Sequence, residues 1–212
     1  MKDQNDNKTI DAFTVTIASH YQAVKTCHAI ISGQRWAGSK TPDAIRGNWR
    51  TPKWLFNYLN KHYGPFEIDA AACDKSSHCA EHYSEDNDAL SFDWQAKTKF
   101  FLNPPFSKIN PWVEKVVTEV KKRRSTVAMI VPDDCSTAWF AECVKHASVA
   151  VWLVSDGVKS GRVGFIHPTT GKVVGENNKG TVIFIFKPNR SKIETVYLSK
   201  SDMENDAKDL LY

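Results

Sequence analysis

The run Lys99 to Leu102 has the aromatic and aliphatic character of a buried strand, yet it stops abruptly at Asn103-Pro104-Pro105-Phe106. Two adjacent prolines cannot continue a central strand, because each lacks an N–H and has φ fixed near −65°. Backbone carbonyls at such a turn can point into a cleft instead of into a sheet ladder. The Asn103 side-chain oxygen and the Pro104 carbonyl could then accept both hydrogens of an exocyclic amino group, with Phe106 stacked on the ring that bears it. That arrangement would align a poorly nucleophilic aromatic amine for attack. A proline-capped strand end with no chemistry is the competing reading of the same four residues.

Other residues carry chemistry only in combination. Thr51-Pro52 stands before "KWLFNYLNKHYG", where Trp54, Leu55, Tyr58 and Leu59 fall at helical spacing and Gly64 ends the pattern. Free amides at a helix start favour a carboxylate, although a plain Thr cap followed by Pro would read identically. Asp69, Asp86, Asp88 and Asp93 each suit a solubilising loop or a helix cap when taken alone. Cys73, His78, Cys79 and His82 cluster within ten residues, but their spacing is irregular for zinc, and no metal is expected.

These residues need a frame, and the chain supplies one. Short apolar strands in "FEIDAAA", "TKFFLNPPF", "STVAMIVP", "SVAVWLV" and "GTVIFIFKP" are separated by helices in "NPWVEKVVTEVKKRR" and "TAWFAECVKHA" and by a basic, Gly-containing stretch. Continuous apolar strands alternating with amphipathic helices predict an α/β three-layer sandwich with a mostly parallel sheet and its site at the carboxyl ends of the strands. The expected division is an irregular N-terminal extension over 1–46, in which 11–31 could be one helix, a catalytic domain over 47–190, and a C-terminal tail over 191–212.

Composition narrows the function classes. A chain of 212 residues with 42% hydrophobic and 25% charged residues can bury about 70% of its unfolded surface in one core. A formal charge of +4 permits a polyanionic partner without requiring one. Five cysteines and no charged-then-apolar leader argue against a secreted disulfide framework and for a reducing cytoplasm. The apolar runs are far shorter than the ~20 residues of a membrane span. Lys159, Arg162, His167, Lys172 and Lys179 lie on a Gly-rich stretch that could rest on DNA, with Arg162 placed to reach a guanine edge; a plain surface loop is the alternative. "KVVTEVKKRR" ends a helix in four positive charges that suit the helix dipole or a phosphate.

"NWRTPKWLFNYLNKHYGPFEIDAAA", "DNDALSFDW" and "FLNPPFSKINPWVEK" together resemble the phage-type DNA N6-adenine methyltransferase family (Dam-like), in the family's order and over roughly residues 38–187. The resemblance implies a Rossmann-like methyltransferase fold, S-adenosylmethionine as cofactor and double-stranded DNA as partner. It puts Thr51 and Pro52 by the methionine carboxylate, Asp69 and Ala70 in the loop that holds the methionine amino group, Asp88 (or Asp86) on the ribose, and Asp93-Trp94 against the cofactor's adenine. Asn103, Pro104, Pro105 and Phe106 become the catalytic turn, and Lys159, Arg162 and Lys172 the DNA-binding residues. The Ala-rich loop after Asp69 departs from the family's usual Gly-rich form. GATC or a relaxed version of it is the implied target, in the cytoplasm of a bacterial host, with the oligomeric state open and a monomer slightly favoured. A related enzyme acting on RNA, protein glutamine or N4 of cytosine, or a DNA-binding protein without catalysis, are the rival readings.

Overall fold

The computed structural model describes residues 47–208, except Val174 and Ser191. The expectations for 1–46 lie outside the described residues. Helix α1 (Lys53–Tyr63) precedes β1 (Ile68–Asp69), β2 (Glu81–His82) and β3 (Lys99–Leu102). A short 3-10 turn (Phe106–Lys108) leads into α2 (Ile109–Arg123), then β4 (Thr126–Pro132), α3 (Ala138–His146) and β5 (Val149–Val154). The chain ends in β6 (Thr181–Phe186), β7 (Glu194–Ser199) and α4 (Lys200–Lys208).

The seven strands form one sheet in the order β2-β1-β3-β4-β6-β5-β7. β1, β2, β3 and β4 run parallel, β5 pairs parallel with β7, and β6 alone runs against both its neighbours. Alternation along the strands divides the core between the two faces. Val127, Met129 and Val131 of β4 join Phe100, Phe184 and Phe186 against Trp112, Val113 and Val116 of α2 and Phe140 of α3. Ala128 and Ile130 point the other way, with Phe101, Ile183 and Ile185, against Leu55 and Leu59 of α1 and Met203 of α4. Helices on both faces explain why the central strands are apolar throughout.

The 191–212 tail is a correction. Glu194–Ser199 pairs with the whole of β5, and Met203 and Ala207 of α4 are buried against α1. β7 is an edge strand with exposed Glu194, Thr195 and Tyr197, so its composition lacks the apolar run of a central strand. No helix among the described residues is long and apolar enough to cross a membrane.

Phe184 is fully buried on β6, with its ring 5.1 Å from that of Phe140 and 6.3 Å from that of Phe186. Phe184→Ala is expected to destabilise the fold by about 3–5 kcal/mol. Urea unfolding followed by tryptophan fluorescence measures this, and a loss below about 1 kcal/mol would mean that the site collapses without a cavity.

Candidate active site

Because β1, β3 and β4 are adjacent and parallel, their carboxyl ends emerge together. Asp69, the last residue of β1, stands opposite Phe101, and Asn103 follows the end of β3 directly. The Ala70 N–H donates to the Phe101 carbonyl at 2.8 Å, locking the turn after β1 against the neighbouring strand. Thus Asp69 and Asn103 belong to one edge of the sheet.

Asp69 is 3% exposed. Its carboxylate accepts the Ala71 N–H at 3.4 Å and a second backbone N–H from His78, and no cation among the described residues faces it. Burial pushes its pKa up to about 7, against the opposing pull of those two N–H groups. A dry carboxylate with only backbone donors is suited to a ligand's ammonium, which would supply the missing charge. Thr51, also 3% exposed, lies beside the start of α1. Pro52 is extended, and its carbonyl accepts the Leu55 and Phe56 N–H groups, so the helix starts one residue after Pro52. No side chain caps that start, leaving amides available to a carboxylate.

Asn103 is half-buried, and its Nδ2 donates to the backbone carbonyl of Trp49 at 3.2 Å. A carbonyl can only accept, so this bond assigns the nitrogen to Trp49 and leaves Oδ1 as the acceptor available to a substrate. Trp49 is itself held from outside. Arg50 and Ile166 exchange two backbone hydrogen bonds at 3.0 and 2.9 Å, the Arg50 guanidinium reaches the Pro168 carbonyl at 2.5 Å, and the His167 ring meets the Trp49 indole edge-on at 5.2 Å. Ile166 also bridges to Val173, with the His167 N–H on the Lys172 carbonyl. Phe106 is half-buried and packs edge-on against Phe165 at 5.8 Å, while Pro104 is buried and Pro105 partly so. The loop over 155–180 therefore braces both Asn103 and Phe106.

The remaining expected residues divide. Asp86 and Asp88 are exposed in the turns that follow β2, at the same edge as Asp69. Asp88 adopts φ 40°, and its Oδ1 accepts the Leu90 N–H at 3.3 Å. Asp93 and Trp94 are corrections. Asp93 pairs with Arg123 at the far end of α2, beside Lys97 and the amino end of β3, so it sits at the opposite edge of the sheet. Trp94 is 2% exposed; its ring packs on Phe100 at 4.7 Å, its indole N–H donates to the Ala89 carbonyl, and its backbone N–H donates to Glu119. That ring fills the core and offers no face to a ligand. Ala70 is fully buried. Of the basic residues, Arg162 and Lys172 are exposed, whereas Lys159 pairs with Glu204 of α4 at 3.4 Å.

Trp49, Arg50 and Phe165 were not singled out by the sequence. Their signal is weak, since a backbone carbonyl is invisible in a residue pattern, although Trp49-Arg50 does abut Thr51-Pro52.

A sandwich of this topology, with a buried acid ending its first strand and an Asn-Pro-Pro-Phe turn ending its third, falls in the class of Rossmann-like methyltransferases, whose methyl donor is S-adenosylmethionine. The family model described as DNA N-6-adenine-methyltransferase (Dam) matches residues 38–210, and the chain belongs to that family. It is 38% identical over 207 residues to the DNA N-6-adenine-methyltransferase of Escherichia phage T1, covering 88% of this chain and 86% of that one. The protein of the same description from Haemophilus phage HP1 is 27% identical over 169 residues, covering 78% and 94%. The solved structure of a predicted O-methyltransferase from Agrobacterium tumefaciens aligns with a TM-score of 0.39 and 11% identity over 73% of this chain and 95% of that one, too remotely to bear on the site.

The raised pKa of Asp69 fixes the sign of a pH effect. Between 3.8 and about 7 the folded chain holds a proton that the unfolded chain has released, so ionising Asp69 lowers stability as pH rises through that window. Asp69→Asn removes the titration. Urea unfolding at about pH 5 and about pH 8 should show the variant gaining on the wild type at the higher pH. An equal difference at both would mean that Asp69 ionises in the fold as an ordinary carboxylate.

Proposed function

We propose that this DNA N6-adenine methyltransferase works on an adenine flipped out of duplex DNA, as a site-specific enzyme whose target is GATC or a relaxed version of it. A base inside the helix cannot present its amino group to a cleft, so extrusion precedes chemistry. The observation that carries the reading is the Asn103 amide, whose Nδ2 is committed to Trp49 and whose Oδ1 is thereby free to accept from the amine.

Asn103 Oδ1 and the Pro104 carbonyl take the two N6 hydrogens, and Phe106 stacks on the base. These contacts hold the amine in line and draw electron density toward its nitrogen. S-Adenosylmethionine supplies an electrophilic methyl group on a sulfonium sulfur. Asp69 fits the donor's ammonium, because a buried carboxylate lacking a cation is stabilised by one, and the first amides of α1 after Thr51-Pro52 fit its carboxylate. Asp88, with Asp86 as the alternative, takes the ribose hydroxyls. Asp93 and Trp94 are left out of this assignment. No acid or base beyond solvent is required, and catalysis is chiefly positioning and desolvation. Arg162 and Lys172 rest on the DNA; Lys159, tied to Glu204, contributes less. The enzyme acts without a metal, in the cytoplasm of a host cell.

The acceptor role is tested by substitution. Asn103→Asp keeps an oxygen at nearly the same place and is expected to retain measurable methyl incorporation into DNA. Asn103→Ala should fall by at least about 100-fold with the fold and donor affinity retained, as for loss of a positioned transition-state contact. Digesting the product to nucleosides identifies the base; N4-methylcytosine or an unmodified digest would remove the adenine assignment. Near wild-type turnover by folded Asn103→Ala would remove the catalytic one.

Arg162 has a separate signature. A bidentate contact to guanine discriminates by about 1–3 kcal/mol, whereas a phosphate contact weakens all sequences alike. Arg162→Ala should therefore relax the preference between the best site and its single-base variants. Uniform weakening across all of them would reassign it to the backbone, and unchanged rates to the surface.

A further inference from the structure

His78 stands apart from the residues assigned above, yet it touches both groups assigned to the amino-acid end of the donor. Its Nε2 lies 2.8 Å from the backbone carbonyl of Thr51, and its own backbone N–H serves the Asp69 carboxylate. A carbonyl only accepts, so Nε2 carries the hydrogen. The ring stacks on Phe56 of α1, centroids 4.7 Å apart and planes 17° apart, and meets Phe101 of β3 edge-on at 6.3 Å. One residue, 27 positions along the sequence from Thr51, thus bridges the start of α1 and the end of β1. Desolvation holds its pKa below the ordinary histidine value, so the neutral ring is the form that makes these contacts.

We propose that His78 is a positioning residue that fixes the distance between Thr51-Pro52 and Asp69, and so sets selectivity for the amino-acid end of the methyl donor. The proposal rests on the donor reading given under Proposed function. The geometry of the bridge separates two effects. Losing the Nε2–H to Thr51 frees the start of α1 to move relative to Asp69, while nothing about the bond concerns the nucleoside end, which the turns after β2 are assigned to hold.

Two ligands isolate that end. S-Adenosylhomocysteine carries the amino-acid moiety and 5′-methylthioadenosine lacks it, and both have a neutral thioether. Calorimetry on the full chain compares wild type with His78→Phe, which keeps a ring on Phe56 but has no donor, and His78→Gln, whose amide can still donate. His78→Phe should lose about tenfold in affinity for S-adenosylhomocysteine, as for one part-buried hydrogen bond, with less than about twofold change for 5′-methylthioadenosine. His78→Gln should recover most of the loss. If His78→Phe does not fold, His78→Ala, which also retains the backbone N–H to Asp69, is read in the same way.

Unchanged affinity for S-adenosylhomocysteine would overturn the proposal, and so would an equal loss for both ligands, since that reports general damage. A wild type that binds neither ligand would instead overturn the donor reading, and this inference with it.

Discussion

Asp69 is the constraint around which this edge of the molecule is organised. A carboxylate at 3% exposure is held by two backbone N–H groups and faces no cation among the described residues, so burial disfavours its charge. The fold accepts that disadvantage because the residue ends β1 where three parallel strands converge. Ala70 is fully buried and hydrogen-bonded to β3, and Tyr83 donates to the Asp69 carbonyl at 2.9 Å, so neither side of the strand can relax to hydrate the acid. In the proposed assignment, a ligand ammonium would convert that disadvantage into affinity. Its binding would stabilise the charged form and expel the proton that the free fold retains near neutrality.

Asn103 poses the complementary problem. An amide has two ends, and only its oxygen can accept from an amine. The structure resolves the choice with a main-chain carbonyl, that of Trp49, instead of another side chain. Because Trp49 is fastened through Arg50 to Ile166 and Pro168, the acceptor's orientation depends on a segment far along the sequence. Anything that displaces the 166–173 hairpin disturbs the amide proposed to meet the substrate, even though no residue of that hairpin makes a hydrogen bond to Asn103 among those described.

Much of this was legible because it follows from local chemistry. Two prolines after an apolar strand predict a strand end with free acceptors, and the strand–helix alternation predicts layers on both faces of the sheet. Where the reading failed, two physical explanations fitted the same residues. An acid beside a tryptophan suits a nucleoside site, but it equally suits an ion pair next to a core aromatic, and Arg123 with Phe100 realises the second. β7 was missed because an edge strand can carry polar residues, and β2 because two residues carry no period. The Trp49 carbonyl leaves no trace in side-chain type at all.

The reversed strand explains how the site is braced by a segment of the same sheet domain. β4 and β5 are both antiparallel to β6, hence parallel to one another, so β5 ends at the edge where Asn103 stands and β6 begins there. Residues 155–180 therefore leave and return at the same edge. Had β6 been parallel to its neighbours, the connection would have had to run the length of the sheet, as a crossover helix does. With both ends anchored at one edge, the segment is free to fold over it, which is where Phe165 meets Phe106 and Ile166 meets Arg50. A fully buried β6 locks this arrangement from the centre of the sheet, so the position of the loop over the Asn-Pro-Pro-Phe turn follows from core packing as much as from the loop's own contacts.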